Sequence, residues 1–169
     1  MSSLFIKNAS AIVTCDGRDA VLETAGILIR DGAVAYMGPE LQAAEETLDA
    51  SGCVVYPGLI NTHHHLYQTF SRNLPQVQNM ELFDWLRTLY EIWKNLDGET
   101  IYQSSIVGMG ELLKTGCTTV FDHHYVFPGG ASLALLDAQF AAAEALGVRM
   151  YASRGSMDLS KKDGGLPPD

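Results

Sequence analysis

The chain has 169 residues, 47% of them hydrophobic and 18% charged, a composition typical of a soluble globular protein. Its formal net charge of −9 argues against nucleic acids and anionic membranes as partners. The three cysteines, Cys15, Cys53 and Cys117, are far apart and predict neither a disulfide framework nor a thiolate zinc site. The N-terminus lacks a signal-peptide pattern and no apolar run has the length of a membrane helix, so we expect a cytoplasmic protein.

Residues 1–56 are predicted to form a small β-rich unit. Short runs rich in β-branched and apolar side chains predict strands at 4–7, 11–14, 26–30, 33–38 and 53–56. Asp31-Gly32 predicts a tight hairpin turn, because both residues adopt positive φ at low cost. Asp16-Gly17 predicts a second turn, and residues 41–46 are expected to form one helical turn.

After Pro57-Gly58 the sequence pattern changes to alternating strands and helices. Strands are predicted at 59–62, 117–121 and 148–152, and helices at 80–93, from Asp97 to about 115, and from a cap at Ser132 to 146. Gly116 and Gly147 are expected to end two of the helices, and 161–169 is expected to be a loop. Alternation of this kind predicts an α/β fold with parallel strands and right-handed crossovers.

The tripeptide His63-His64-His65 follows the first of these strands. Because side chains alternate along a strand, His63 and His65 should point to one side and His64 to the other. Two imidazoles on one side of a strand end are suited to bind a divalent cation such as Zn²⁺ or Fe²⁺. Ordinary surface or buried histidines are the alternative, which the clustering of three of the chain's five histidines disfavours.

Residues 56–65, Tyr-Pro-Gly-Leu-Ile-Asn-Thr-His-His-His, resemble the first barrel strand of the amidohydrolase superfamily. The resemblance is closest to the branch of guanine deaminases and s-triazine hydrolases, and the runs 65–72 and 110–119 strengthen it. Residues 122–125, 153–157 and 163–169 are most similar to those of 8-oxoguanine deaminases. The resemblance covers essentially the whole chain.

The resemblance implies a (β/α)₈ barrel of TIM type beside a small β-sandwich. Residues 1–56 would then be the N-terminal segment of the sandwich, and 57–169 the first third of the barrel, with its strands 1–3. It also implies one divalent metal, Zn²⁺ or Fe²⁺, with His63 and His65 as two of its ligands. The other ligands and the catalytic acid and base are expected beyond residue 169, and the whole enzyme is expected to be a homo-oligomer.

Four side chains are candidates for binding a small heterocyclic substrate. Gln68 matches a glutamine that contacts the purine in guanine deaminases, the alternative being a surface residue. Trp85 is expected either to wall the pocket against a flat ring or to pack in the core. His123 ends the second barrel strand on the catalytic face and is a candidate for substrate binding. Asp122 beside it is expected on the same face, where it could support the site or contact the substrate, and a structural network is the alternative for both. Arg154 closes the third strand and suits an anionic or carbonyl-rich substrate, with a surface salt bridge as the alternative.

The expected reaction is hydrolytic deamination of a purine-like ring, with 8-oxoguanine and water giving urate and ammonia. Water activated by the metal would attack the ring carbon that carries the amine, and a carboxylate would pass the proton to the leaving nitrogen. Hydroxy-s-triazine, guanine and pterin are alternative substrates. A reading of another class is an inactive metal-binding fragment, because a metal site takes about four ligands and the chain offers two.

Overall fold

Two units make up the chain in the computed structural model, Met1–Pro57 and Gly58–Asp169. The structure describes residues 2–129, 131 and 133–167. The boundary predicted between residues 56 and 57 lies next to the boundary between these units. No helix in the described part of the chain is long and apolar enough to cross a membrane.

The first unit is a five-stranded mixed sheet. Its strands are β1 (Ser3–Val13), β2 (Val21–Arg30), β3 (Ala33–Gly38), β4 (Glu46–Asp49) and β5 (Val54–Val55). Strands β1, β2 and β3 pair antiparallel, whereas β4 and β5 both run parallel to β1. Small and branched apolar side chains form its buried core, namely Ala9, Ile12, Ala25, Ile27 and Ala50. The described residues of this unit form one sheet, so the sandwich expected from the resemblance stays a prediction.

Local sequence patterns were right about a turn in this unit and wrong about two other segments. Asp31 and Gly32 have φ values of 48° and 79°, which confirms the predicted hairpin turn. The strands predicted at 4–7 and 11–14 are one strand, β1, interrupted by an irregularity between Ile6 and Ala9. The helical turn predicted at 41–46 is wrong, because Glu46 begins β4 and pairs with Leu4. Pairing with a neighbouring strand satisfies backbone groups that a single isolated helical turn leaves open.

The second unit alternates strands and helices, as the sequence predicts. It contains β6 (Leu59–His64), α1 (Leu82–Trp93), α2 (Gly98–Lys114), β7 (Cys117–His124), α3 (Ala134–Leu146) and β8 (Arg149–Arg154). The three strands form a parallel sheet in the order β6-β7-β8. Short 3₁₀ helices cover Leu66–Ser71, Pro75–Val77 and Lys161–Asp163, the last within the predicted C-terminal loop. The α/β class is therefore confirmed.

Helix ends in the second unit follow the capping signals of the sequence. The Asp97 carboxylate accepts a hydrogen bond from the Thr100 backbone N–H at 2.8 Å and caps α2. Gly116 and Gly147 follow α2 and α3 with φ values of 86° and 70°, conformations that suit glycine. The cap predicted at Ser132 lies outside the described residues.

Strands β7 and β8 are longer than the apolar runs that predict them. β7 continues to His124 and β8 to Arg154, because the parallel ladder pairs His123 with Ser153 and His124 with Arg154. Alternation along β7 therefore sends His123 to one face of the sheet and Asp122 and His124 to the other. The second face packs on α2 and α3 around an apolar cluster of Leu66, Met109, Cys117, Val120, Ala142, Ala143 and Val148.

Candidate functional site

His63 and His65 lie side by side at the carboxyl end of β6. Their Nε2 atoms are 3.2 Å apart, and their rings are nearly perpendicular, with an interplanar angle of 84°. In a tetrahedral zinc site with Zn–N bonds of about 2.0–2.1 Å, two ligand nitrogens are roughly 3.3–3.4 Å apart. The two imidazoles therefore have nearly the spacing of a pair of zinc ligands.

A hydrogen bond to the backbone determines which nitrogen of His65 is free. His65 Nδ1 lies 2.8 Å from the carbonyl oxygen of His123. A carbonyl only accepts, so Nδ1 carries the proton, and in the neutral ring Nε2 keeps its lone pair. Metal-ligating histidines are commonly fixed in this way, with the second ring nitrogen donating to a carbonyl or carboxylate.

The chain supplies only part of a complete metal site. The described residues contain no group of three or more His, Cys, Asp or Glu side chains able to hold one ion. Two neutral imidazoles nevertheless fit the donor preference of Zn²⁺ and of Fe²⁺. The donor set therefore fits a divalent metal as two of its ligands and requires others to complete the coordination.

An open pocket of about 460 Å³ lies beside the two histidines at the carboxyl ends of the parallel strands. Parallel α/β sheets bind their ligands at this end, and the volume is within the usual range for small molecules. Its lining combines imidazole, hydroxyl, aromatic and thioether groups, from Thr62, His63, His65, Phe121, His123, Tyr125, Ser156 and Met157. The structure thus brings His123 into the same pocket as the proposed ligands.

In the pocket wall, His123 makes a hydrogen bond to Ser153 and a ring contact with His65. Its Nδ1 is 2.5 Å from the hydroxyl oxygen of Ser153, and its ring centroid is 6.0 Å from that of His65. The Cβ of an alanine at position 155 would lie 2.9 Å from His123 Cε1 and 2.5 Å from Tyr125 Cβ. Gly155 is therefore required by the close packing of the pocket wall.

Gln68 lies in a smaller cavity of about 270 Å³ that His63 and His65 also line. Its amide nitrogen donates to the hydroxyl of Tyr125 at 3.1 Å and to that of Tyr67 at 3.3 Å. Burial raises the pKa of Tyr67, so this hydroxyl stays neutral. Because both amide hydrogens point at tyrosines, the carbonyl oxygen of Gln68 is the atom left for a ligand.

Trp85 and Arg154 lie away from the two cavities that the histidines line. Trp85 packs edge-to-face on Trp93 with ring centroids 5.5 Å apart, at the border of the aromatic core, and its role as a pocket wall stays a prediction. The Arg154 guanidinium lies 4.6 Å above the Phe127 ring. Arg154 lines an adjoining cavity of about 650 Å³ that shares Tyr125, Ser156 and Met157 with the histidine pocket.

The sequence places Asp122 with His123 on the catalytic face, and this is wrong for Asp122, because alternation along β7 turns it to the opposite face of the sheet. Asp122 is fully buried and accepts hydrogen bonds from the Leu66 backbone N–H at 2.6 Å and from Gln139 Nε2 at 2.8 Å. His124 is also fully buried, and burial lowers its pKa and that of His64. The alternation of Asp122, His123 and His124 along β7 was the available signal, since it separates His123 from its two neighbours.

The parallel sheet carries two imidazoles side by side at its carboxyl end, an arrangement that suits the binding of a divalent metal. Residues 54–167 match the sequence model of the amidohydrolase family, and the chain belongs to this family.

Curated relatives and solved structures agree with this assignment. The chain is 46% identical to 8-oxoguanine deaminase of Pseudomonas aeruginosa, in an alignment that covers 99% of this chain and 37% of that enzyme. It is 39% identical to hydroxydechloroatrazine ethylaminohydrolase of a Pseudomonas species, in an alignment that covers 94% of this chain and 36% of that enzyme. A solved structure also matches, that of atrazine chlorohydrolase from Arthrobacter aurescens TC1 complexed with zinc, with a TM-score of 0.89 and 32% identity. The match covers 98% of this chain and 38% of that one. The chain thus spans a little more than one third of the length of these relatives.

Proposed function

We propose that this chain is part of a divalent-metal-dependent hydrolase that deaminates a purine-like heterocycle, with 8-oxoguanine as the substrate. The observation that carries the proposal is the pair of Nε2 atoms of His63 and His65, 3.2 Å apart. The hydrogen bond from His65 Nδ1 to the His123 carbonyl supports it, because it leaves Nε2 free for a metal. The 46% identity to an 8-oxoguanine deaminase supports the choice of substrate.

The residues of the chain have distinct proposed tasks. His63 and His65 hold the cation, Zn²⁺ in preference to Fe²⁺, which when bound supplies an activated water at neutral pH. The carbonyl oxygen of Gln68 accepts a hydrogen bond from a ring N–H of the substrate and fixes its orientation. Arg154, in the adjoining cavity, offers N–H donors to a carbonyl group of the substrate.

The proposal also requires groups from outside residues 1–169. A zinc site has about four ligands, and the described residues offer two imidazoles. The remaining ligands and the acid and base that move protons would come from further strands of a TIM-type barrel, of which β6, β7 and β8 are the first third. Large apolar side chains of the sheet, Ile60 at 68% and Tyr151 at 67% exposed, support further packing partners for these strands. A cytoplasmic location and a homo-oligomeric assembly stay predictions.

An ammonia-release assay with a panel of heterocycles tests the activity. The protein is expressed from the longest reading frame that contains this chain, loaded with Zn²⁺, and given 8-oxoguanine, guanine, a hydroxy-s-triazine and a pterin. We expect the highest kcat/KM for 8-oxoguanine, with urate as the second product. No turnover of 8-oxoguanine beside turnover of the triazine would reject the substrate and favour the second candidate, to which the 39% identical relative and the triazine hydrolase structures point.

A second preparation, residues 1–169 alone, tests the need for further groups. We expect weak zinc binding and no ammonia release, because two imidazoles do not complete a catalytic site. Metal-dependent deamination by residues 1–169 alone would contradict the proposed contribution of outside residues. Failure of the longer protein to deaminate any of these compounds, with zinc still bound at His63 and His65, would favour a metal-binding protein without this activity.

A further inference from the structure

Asp122 is an acidic side chain buried on the helix-facing side of β7, where it has no exposed surface. One carboxylate oxygen accepts a hydrogen bond from the Leu66 backbone N–H at 2.6 Å. Leu66 directly follows His65, so this N–H belongs to the peptide group that leaves the proposed metal ligand. The bond therefore fixes the orientation of the backbone at His65.

A second hydrogen bond from the same segment of β7 fixes the ring of His65. Its Nδ1 donates to the carbonyl oxygen of His123, the residue after Asp122, at 2.8 Å. Two consecutive residues of β7 thus hold the backbone and the imidazole of His65, the residue that directly follows the adjacent strand β6. With both fixed, the direction of His65 Nε2 towards His63 Nε2 is determined.

The carboxylate is in turn held by Gln139 of α3, whose amide nitrogen donates to its other oxygen at 2.8 Å. Gln139 is fully buried, and among the described residues its amide oxygen has no hydrogen-bond partner. A buried acceptor without a partner is unfavourable, so this orientation shows that Asp122 determines how the amide lies. Hydrogen bonds to a carboxylate are shorter and stronger than neutral ones, which suits a group that fixes a nearby backbone.

We propose that Asp122 is a positioning residue for the metal ligand His65, and that Gln139 anchors Asp122 for this task. The inference rests on the proposed metal site and adds to it a buried connection from α3 through β7 to His65. Groups that orient metal ligands typically change metal affinity by about 10- to 100-fold when they are removed. A purely structural role for Asp122 would change stability without this change in affinity.

The test measures Zn²⁺ affinity and the visible spectrum of the Co²⁺-substituted protein, together with the unfolding midpoint. In protein made from the longest reading frame, we expect Asp122→Ala to weaken Zn²⁺ binding by about 10- to 100-fold and to change the Co²⁺ spectrum. Asp122→Asn should restore most of the affinity, because its amide oxygen can still accept from the Leu66 N–H and the Gln139 amide can turn to match. Ile101→Val, a small change in the aromatic core, is the control that lowers stability while leaving Zn²⁺ affinity unchanged.

Gln139→Leu is a second variant, which tests the inference if Asp122→Ala does not fold. It removes the anchor but leaves the contact between Asp122 and Leu66, and we expect a severalfold loss of Zn²⁺ affinity. Unchanged affinity in either folded variant, Asp122→Ala or Gln139→Leu, would overturn the inference. If the unaltered protein binds no Zn²⁺, or if His63→Ala binds it equally well, the proposed metal site itself fails, and the two failures are thereby distinguished.

Discussion

The two faces of the three-stranded sheet present histidines in opposite settings. On the pocket face, His63 is exposed and the Nε2 atoms of His63 and His65 approach each other. On the helix face, His124 has no exposed surface, and burial lowers its pKa, so it is neutral at neutral pH. Histidines are therefore candidate metal ligands on one face and packing residues on the other, and position along the strand decides which face each one reaches.

The largest expected difference is in Zn²⁺ affinity, between a variant that lacks a histidine of the pocket face and one that lacks a histidine of the helix face. We expect His65→Ala to lower Zn²⁺ affinity by more than about 100-fold, because losing a ligand exceeds the loss of a group that orients one. His64→Ala, its neighbour on the other face, should change Zn²⁺ affinity little. A competition titration with a coloured chelator measures both, and an equal loss in the two variants would contradict the division between the faces.

Two glycines lie in different surroundings: Gly155 is in the closely packed pocket wall, and Gly110 is on a helix where a side chain has space. Gly155→Ala should destabilise the fold by about 1–3 kcal/mol, because the new Cβ would lie 2.5 Å from Tyr125 Cβ and 2.9 Å from His123 Cε1. Gly110→Ala in α2, where the new Cβ would meet no atom within 4 Å apart from the adjoining backbone of its own helix, should stabilise it by about 0.5–1 kcal/mol. Urea denaturation of both variants measures the difference, and a neutral Gly155→Ala would show that the pocket wall has more space than the structure indicates.

The helix face should make stability depend on pH in a particular direction. Burial holds the pKa of His124 below its ordinary value, so the unfolded chain takes up a proton more readily than the folded one. As pH falls below about 6.5, the unfolding free energy should decrease, by at most about 1.4 kcal/mol per pH unit for one histidine. His124→Leu should flatten this dependence between pH 7 and 5, and parallel curves for the two proteins would contradict the assignment.

A smaller effect, on KM, is expected when the hydrogen bond that orients Gln68 on the pocket face is removed. Tyr125→Phe keeps the ring but removes the hydroxyl that accepts from Gln68 Nε2 at 3.1 Å. We expect KM for the preferred heterocycle to rise about fivefold with a smaller change in kcat, as for the loss of one hydrogen bond worth about 1 kcal/mol. Tyr36→Phe, which removes a hydroxyl bonded to the Glu40 backbone N–H in the first unit, is the matched control. If KM is unchanged in both variants, the Tyr125 hydroxyl does not orient Gln68 for substrate binding.

Local signals predicted much of the fold and of the pocket face. Alternation along β6 placed His63 and His65 together, and capping signals at Asp97, Gly116 and Gly147 marked the helix ends. These features depend on neighbouring residues, for which the sequence carries direct information.

Long-range contacts explain what local patterns left out. The bond between Asp122 and Leu66 joins residues 56 positions apart, and no local pattern indicates it. The strand β4 was missed because its pairing with β1 depends on contacts about 40 residues away in the chain, as for Leu4 and Glu46. Trp85 and Arg154 were ambiguous for the same reason, since only packing decides which surface a side chain reaches.

Anomalous diffraction at the zinc edge, from crystals of the protein grown with Zn²⁺, tests the pair of histidines most directly. We expect one strong zinc peak about 2.0–2.1 Å from Nε2 of both His63 and His65, with His65 Nδ1 still bonded to the His123 carbonyl. Zinc bound elsewhere, or bound to only one of the two rings, would contradict it.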